Sequence, residues 1–515
     1  MTPKKIAALS ALGMLLTSFS VYSLTPPGGR AGAETVAEPD PTVVPSVVGG
    51  GGEVTTELGR FVAGGTLMVE GRLGHQKLLR SDGETFLMLE VKNDGSSRAE
   101  TQAPANLSLV IDRSGSMKGG RLQNALQAAT RAVDQLQDGD VVSVVAFDTR
   151  TNVIVPPTTI GPGTRGRVIS DIRGITLGGD TCISCGIEEG LALLERTEER
   201  VSRMLLLSDG DANNGVRDVP GFRSIAQRAH ARGVSITTIG VDVEYNEKIL
   251  AAIAQDSNGR HYFAENDSGL SRIFEEEAEA LKSTVASGVE VAVDLAPGVE
   301  LERVFDRSFR REGNRVMVPL GSFSRGEVKT ALLKVRLSRP ELGEAKVAEV
   351  SMTYRDLVGS KEGRCEGKLA LEVTDDRAAA SALDALVAGR VQRSETASTL
   401  QQANFLFKQG RFEEARKKLD TQRSALKGEA SRAKTAAPMA RAADVSRDFD
   451  RQIAVLESAD KDFNAPRQFA TPPPPAGMIG GAAPAPAAPA EPAQESRAGR
   501  SAVKRNESNA FDLGL

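Results

Sequence analysis

The run Asp112-Arg113-Ser114-Gly115-Ser116 carries a carboxylate followed, two and four residues on, by two hydroxyls. Where a chain leaves a strand, that spacing turns three oxygens toward one point, and Gly115 lets the loop bend without a Cβ clash. Hard divalent cations take oxygen ligands, and Mg²⁺ requires six of them in an octahedron at about 2.0–2.1 Å. One carboxylate and two hydroxyls do not complete that shell, so other loops must contribute. Two candidates have suitable settings: Thr181, after the glycine-rich Leu177-Gly178-Gly179-Asp180, and Asp209, which ends an apolar run and precedes Gly210. The candidate metal ligands are therefore Asp112, Ser114, Ser116, Thr181 and Asp209.

These residues need a scaffold that brings separate loops to one edge. From about Asn106 to Ser283, apolar strands alternate with amphipathic helices. The strands are Asn106–Asp112, Val141–Asp148, Arg203–Asp209, Val234–Asp242 and His261–Ala264, with Thr151–Val155 as an edge partner. Such alternation predicts βαβ units and a mostly parallel sheet covered on both faces, whose sites form beyond the carboxyl ends of the strands. After Ser283 the period changes to two, in six runs from Val289 to Val373, which predicts a β-sandwich. Runs at Thr66–Val69 and Phe86–Val91 are expected to join it. The predicted layout is 58–104 strands of the sandwich, 105–283 the α/β domain, 284–375 the sandwich and 376–463 a helical region. Residues 464–515 are expected to form a Pro/Ala-rich disordered tail.

With its strand–helix order, this constellation resembles the von Willebrand factor A family, whose metal-ion-dependent adhesion site reads D-x-S-x-S, then a distant Thr and a distant Asp. The stretch Leu107–Ser116 (LSLVIDRSGS), with β-rich segments on each side, is most similar to bacterial secreted A-domain proteins and, more distantly, to inter-alpha-trypsin inhibitor heavy chains. The resemblance implies a Rossmann-like fold and Mg²⁺, or Mn²⁺ or Ca²⁺ in its place. It implies that Ser114 and Ser116 ligate directly, Asp112 and Asp209 directly or through water, and Thr181 in the ligand-competent state. The implied partner is a protein offering an Asp or Glu carboxylate to the open position. Charge counting agrees: two carboxylates neutralise a divalent ion, and neutral hydroxyls leave it electrophilic toward an external acid. Asp180 and Asp211 bear on this balance, because facing the ion they would over-neutralise it. The other reading is that they cap loops in solvent.

Cys182 and Cys185 directly follow Thr181, where the family more often has Asn. They read as a disulfide that stiffens the loop, as a redox-active thiol near a helix start, or as half of a zinc site lacking further ligands. Cys365 is either unpaired or a partner of one of them. The chain has 515 residues, a net charge of -4, no Trp and only three His. That composition disfavours nucleic acid as a partner and a His-built active site. No phosphate loop or nucleophile elbow is present, so no enzymatic activity is expected. Residues 1–33 read as a signal peptide: Lys4 and Lys5, an apolar run from Ile6 to Leu24, then Ala31-Gly32-Ala33. If uncleaved, this segment would anchor the chain in a membrane. Residues 34–57 read as a flexible linker. The sequence therefore predicts an exported periplasmic, cell-surface or extracellular protein that uses a metal to bind another protein. The alternative is an envelope redox or enzyme-associated component built on Cys182 and Cys185.

Overall fold

The computed structural model describes residues 55–93, 104–194, 200–436, 441–469 and 492–514. The segment read as a signal peptide and most of the one read as a linker lie outside the described residues. Thr55–Glu57, assigned to the linker, is instead a short strand (β1), because it pairs antiparallel with β2 (Arg60–Gly64). The chain continues through β3 (Met68–Leu73), β4 (Lys77–Leu79) and β5 (Glu84–Lys92).

The α/β unit follows. Its strands are β6 (Ala105–Asp112), β7 (Val141–Phe147), β8 (Thr151–Thr159), β9 (Val201–Ser208), β10 (Ser235–Val241) and β11 (His261–Ala264). They form one sheet in the order β11-β10-β9-β6-β7-β8, parallel except for the antiparallel edge β8. Every residue of β6 and β10 is buried, as a strand covered on both faces must be. Helices α1 (Arg121–Gln135), α2 (Arg165–Arg173) and α6 (Asp267–Lys282) pack one face through a core that includes Leu126, Val133, Ile172 and Phe274. Helices α3 (Ile183–Leu193), α4 (Val219–Ala231) and α5 (Glu247–Asp256) pack the other around Ile187, Phe222 and Leu250. Successive connections therefore run to opposite sides of β6, which opens a crevice above the carboxyl ends of β6 and β9.

The remaining strands are β12 (Thr284–Leu295), β13 (Val299–Phe305), β14 (Arg310–Glu312), β15 (Arg315–Ser324), β16 (Val328–Leu337), β17 (Gly343–Asp356) and β18 (Lys361–Thr374). Two six-stranded sheets result, β1-β2-β3-β5-β16-β13 and β14-β15-β12-β17-β18-β4. Their inner faces share a core containing Phe61, Leu87, Val291, Val318, Leu333 and Leu371. Strands from both sides of the α/β unit build each sheet, so that unit is an insertion into the sandwich.

Among the described residues, four helices follow: α7 (Ala385–Lys408), α8 (Phe412–Ala436), α9 (Ala442–Phe469) and α10 (Arg497–Gly514). Gly410, at φ 74°, ends α7 and lets the chain turn into α8. Phe407 stacks on Phe463 of α9 at 4.2 Å. The expectation of a disordered tail over 464–515 is corrected at 464–469 and 497–514, while its stretch 470–491 lies outside the described residues. α9 runs on to Phe469, and Arg497–Gly514 is a packed helix rather than a solvated tail. Ala502, Val503, Ala510 and Leu513 line one side of it and are buried in the helical core, which is why it docks. No helix among the described residues is long and apolar enough to cross a membrane.

Candidate metal centre

Asp112 is the last residue of β6 and has no exposed surface. Its Oδ1 accepts the Ser114 N–H at 2.8 Å, which fixes the turn that follows the strand. Gly115 to Met117 make a single 3₁₀ turn that points Ser114 and Ser116 back toward the sheet. The two hydroxyls lie 2.9 Å apart, and Ser116 Oγ donates to Asp209 Oδ1 at 2.6 Å. Asp209, just past the end of β9, is also fully buried. The crevice between β6 and β9 thus brings together four of the five candidate residues by direct hydrogen bonds.

Thr181 is 4% exposed and reaches the same place by a different route. Its loop is pressed against the end of β7: a Cβ on Gly178 would fall 1.8 Å from Asp148 Oδ2, so only glycine permits the approach. Gly178 N donates to the Arg113 carbonyl and Gly115 N to the Gly179 carbonyl, at 2.7 and 2.9 Å. These bonds tie the Thr181 loop to the serine loop. On the other side Thr181 N donates to Asn213 Oδ1 at 2.8 Å, which ties it to the loop after β9. A Cβ built on Gly210 would stand 3.3 Å from Ser116 Oγ and 3.6 Å from Thr181 Oγ1. The two hydroxyls therefore border one small space that Gly210 leaves open.

Two carboxylates share this buried space, and burial sets their acidity. Desolvation pushes Asp112 up to about 6, against hydrogen bonds from Ser208 and Ser114 that favour its charged form. Burial also raises Asp209, opposed by Ser116 and Arg121. Two carboxylates and three hydroxyls with space between them, the charges underneutralised, form a donor set that fits a hard divalent cation. Asp180 and Asp211 are exposed.

Several participants carry no signal in the sequence pattern. Ser208 donates to Asp112 Oδ2 at 2.6 Å; it directly precedes Asp209 and was readable only as a strand residue. Arg121, the first residue of α1, donates through Nη1 to Asp209 Oδ2 at 3.0 Å and through Nε to Asp242 Oδ2 at 2.8 Å. Nothing in the spacing of Arg121, Asp209 and Asp242 announces that chain of contacts. Cys182 and Cys185 are joined in a disulfide with Cα atoms 5.3 Å apart, at the start of α3. Gly215 covers it so closely that a Cβ there would lie 2.6 Å from Cys182 Sγ. Cys365 is a free thiol buried in the sandwich.

Comparison with known proteins agrees with the α/β fold that carries these residues. The sequence profile of the von Willebrand factor type A domain matches residues 106–276. The uncharacterized protein sll0103 of Synechocystis is 26% identical over 268 residues, 50% of this chain and 63% of that protein. Human inter-alpha-trypsin inhibitor heavy chain H4 is 26% identical over 274 residues, 50% of this chain and 29% of that protein. The chain thus spans less than two thirds of the length of these curated relatives. Among solved structures, a von Willebrand factor type A protein from Catenulispora acidiphila superposes with a TM-score of 0.60 at 16% identity, covering 76% of this chain and 89% of that one. The ArnB paralog VWA2 from Sulfolobus acidocaldarius superposes at 0.52 with 19% identity, covering 76% and 98%. At these identities the likeness speaks for the fold, and it extends beyond the α/β unit. Matched by its sequence profile, and folded as helices around a mostly parallel sheet, the segment from Asn106 to Glu276 is a von Willebrand factor type A domain.

Proposed function

We propose that this A domain holds a divalent cation, Mg²⁺ in the first instance, and uses it to bind a carboxylate of a partner protein at the cell envelope. The observation that carries the reading is the hydrogen-bonded cluster of Asp112, Ser114, Ser116 and Asp209, whose Ser116 hydroxyl borders, with that of Thr181, the space beside Gly210. Ser114, Ser116 and Thr181 would hold the ion with neutral oxygens, and the two aspartates would balance its charge. A bound ion would supply a Lewis-acidic position for an incoming Asp or Glu side chain. Domains of this type typically mediate protein–protein interaction or adhesion, and the sandwich and helices would serve here to present the site.

Binding rather than catalysis is favoured by the setting of the serines, which are hydrogen-bonded into a carboxylate cluster with no imidazole. His261 is fully buried in β11 and is pushed down to about 3 by burial. The export reading rests on the N-terminal pattern, and a disulfide beside the site suits an oxidising compartment. In that reading the disulfide stiffens the Thr181 loop and does no exchange chemistry.

The test is a pull-down from envelope fractions with wild-type and Asp112→Ala protein, with and without chelator. Capture that requires both Asp112 and free Mg²⁺ is expected. Capture indifferent to both, together with a melting curve indifferent to Mg²⁺, overturns the proposal.

A further inference from the structure

Helix α10 lies against the loops that leave β10 and β11, next to the metal centre. Its basic side chains at 497, 500 and 504 recur at helical spacing, so they share one face. Each meets an acid of the segment that follows β10, the loop residues Asp242 and Glu244 or Glu247 at the start of α5. Arg497 Nη1 is 2.7 Å from Asp242 Oδ1, Arg500 is 3.4 Å from Glu244, and Lys504 pairs with Glu247. Lys504 also donates to the Tyr245 carbonyl and lies over the Tyr245 ring, 4.4 Å from its centroid. Ser501 and Arg505 both reach Glu265, at 2.6 Å each. A basic helix face is thus seated on the acidic rim of the A domain.

Asp242 is shared. Its Oδ2 holds Arg121, and Arg121 holds Asp209 Oδ2 with its other end. Arg497 of the C-terminal helix is therefore three charge contacts from a metal-site carboxylate, in the unbroken order Arg497, Asp242, Arg121, Asp209. A cavity of about 460 Å³ opens beside this chain of charges, between Lys118 on the serine-loop side and Arg497 on the helix side. The first turn of α10 also carries no acidic residue, and it has Arg497 and Arg500 where the helix dipole favours anions. That turn depends on Asp242 and Glu244 for its charge balance.

We propose that the C-terminal helix is an intramolecular strap linked to the metal centre: its docking through Arg497 lowers the affinity of the A domain for a divalent cation, and metal occupancy loosens the Arg497 end of the helix. This rests on the metal-binding reading above. The physical cause is competition for negative charge. With Arg497 on Asp242, the aspartate divides its charge between two guanidiniums, and Arg121 keeps an N–H on Asp209. Without Arg497, Asp242 holds Arg121 alone, and the surroundings of the ion gain one net negative charge. A divalent ion at Asp209 repels Arg121, which then leans on Asp242 and displaces Arg497. Linkage makes the two directions equal in size. For a unit charge acting on a divalent ion on the order of 10 Å away through solvent, the expected change is about 2- to 4-fold in Kd at low ionic strength.

The experiment titrates the metal-stripped full chain with Mg²⁺ by calorimetry at low ionic strength, for wild type, Arg497→Gln and Arg497→Lys. Amide exchange across residues 497–505 is followed with and without Mg²⁺. Expected are a Kd about 2- to 4-fold tighter for Arg497→Gln, a near wild-type Kd for Arg497→Lys, and faster exchange of the first turn of α10 in Mg²⁺. High salt should shrink the difference. If wild type binds Mg²⁺ but Arg497→Gln has the same Kd and exchange is unchanged, the strap is refuted and the metal reading stands. If wild type binds no divalent cation, both are refuted.

Discussion

Replacing Asp112 by Asn should stabilise the metal-free protein while removing its response to metal. Asp112 has no exposed surface, and burial raises its carboxyl to about 6 from 3.8. At one pKa unit per 1.36 kcal/mol, keeping it ionised in the folded, metal-free state costs about 3 kcal/mol at neutral pH. The sign follows from proton counts. Below about 3.8 both folded and unfolded chains hold the proton and nothing is lost. Between 3.8 and about 6 the folded chain retains a proton the unfolded one has released, so stability falls as pH rises. Above about 6 the full cost is present. Asparagine does not titrate, and its side-chain oxygen can still accept the Ser114 N–H while its amide faces Ser208 Oγ. Discounting for an imperfect fit to Ser208, Asp112→Asn should be more stable than wild type by roughly 1–3 kcal/mol in chelator at pH 7.5, a gap that closes toward pH 4. In Mg²⁺ the order should close or reverse. With a Kd of ~10 μM and ~1 mM Mg²⁺, binding adds about 2.7 kcal/mol to wild type and little to the variant. Urea denaturation at three pH values, with and without Mg²⁺, measures all of this. A variant less stable than wild type in chelator, or one that keeps the full Mg²⁺ increment, would show that Asp112 is an ordinary structural carboxylate.

Gly210→Ala should fold but bind Mg²⁺ about tenfold more weakly, because its methyl would crowd the Ser116 hydroxyl at 3.3 Å and fill the space that it shares with the Thr181 hydroxyl, 3.6 Å away; calorimetry with an unchanged Kd would contradict the shared space. Glu247 is 7% exposed; burial alone would raise it, but Lys504 and Lys408 hold it at about 2. A depressed carboxyl stabilises above its unfolded value of 4.5, so about 3 kcal/mol should be lost as pH falls from 4.5 through 2. Lys504→Met should flatten that acid limb, and an unaltered acid-denaturation profile would count against the pairing. Replacing both Cys182 and Cys185 by Ser removes a four-residue crosslink and should cost about 2 kcal/mol on the loop-entropy account. Thermal melts of oxidised wild type and the double variant compare them directly, and equal stability would mean that the loop is held by its hydrogen bonds alone.

Much of the candidate site was legible because its geometry is local. Asp112, Ser114 and Ser116 are spaced by one turn at a strand end, and a strand end in an alternating α/β pattern already implies the rim of a parallel sheet. Asp209 could be nominated for the same reason, since it sits where the chain leaves β9, and Thr181 from the glycine-rich loop that leads into α3. Ser208, Arg121 and Asp242 could not, since a serine inside an apolar strand and an arginine at a helix start look like any others. Their roles arise from contacts across 88 to 121 residues of chain.

The helical region shows the opposite case. The Pro/Ala-rich stretch made everything after it look like a solvated tail, and the buried face of Ala502, Val503, Ala510 and Leu513 was too small and alanine-rich to outweigh that impression. What draws Arg497–Gly514 in is a groove between α7 and α9 and an acidic rim on another domain. Sequence by itself determined the period of each segment, and so the α/β sheet, the sandwich and the five oxygen-bearing residues at loop positions, because backbone periodicity and strand-end chemistry act over a few residues. Only tertiary structure decided which loops meet, how far burial shifts Asp112, and that the last helix reaches back to Asp242. Those depend on desolvation and on charge pairs between residues that only the folded chain brings within a few ångströms.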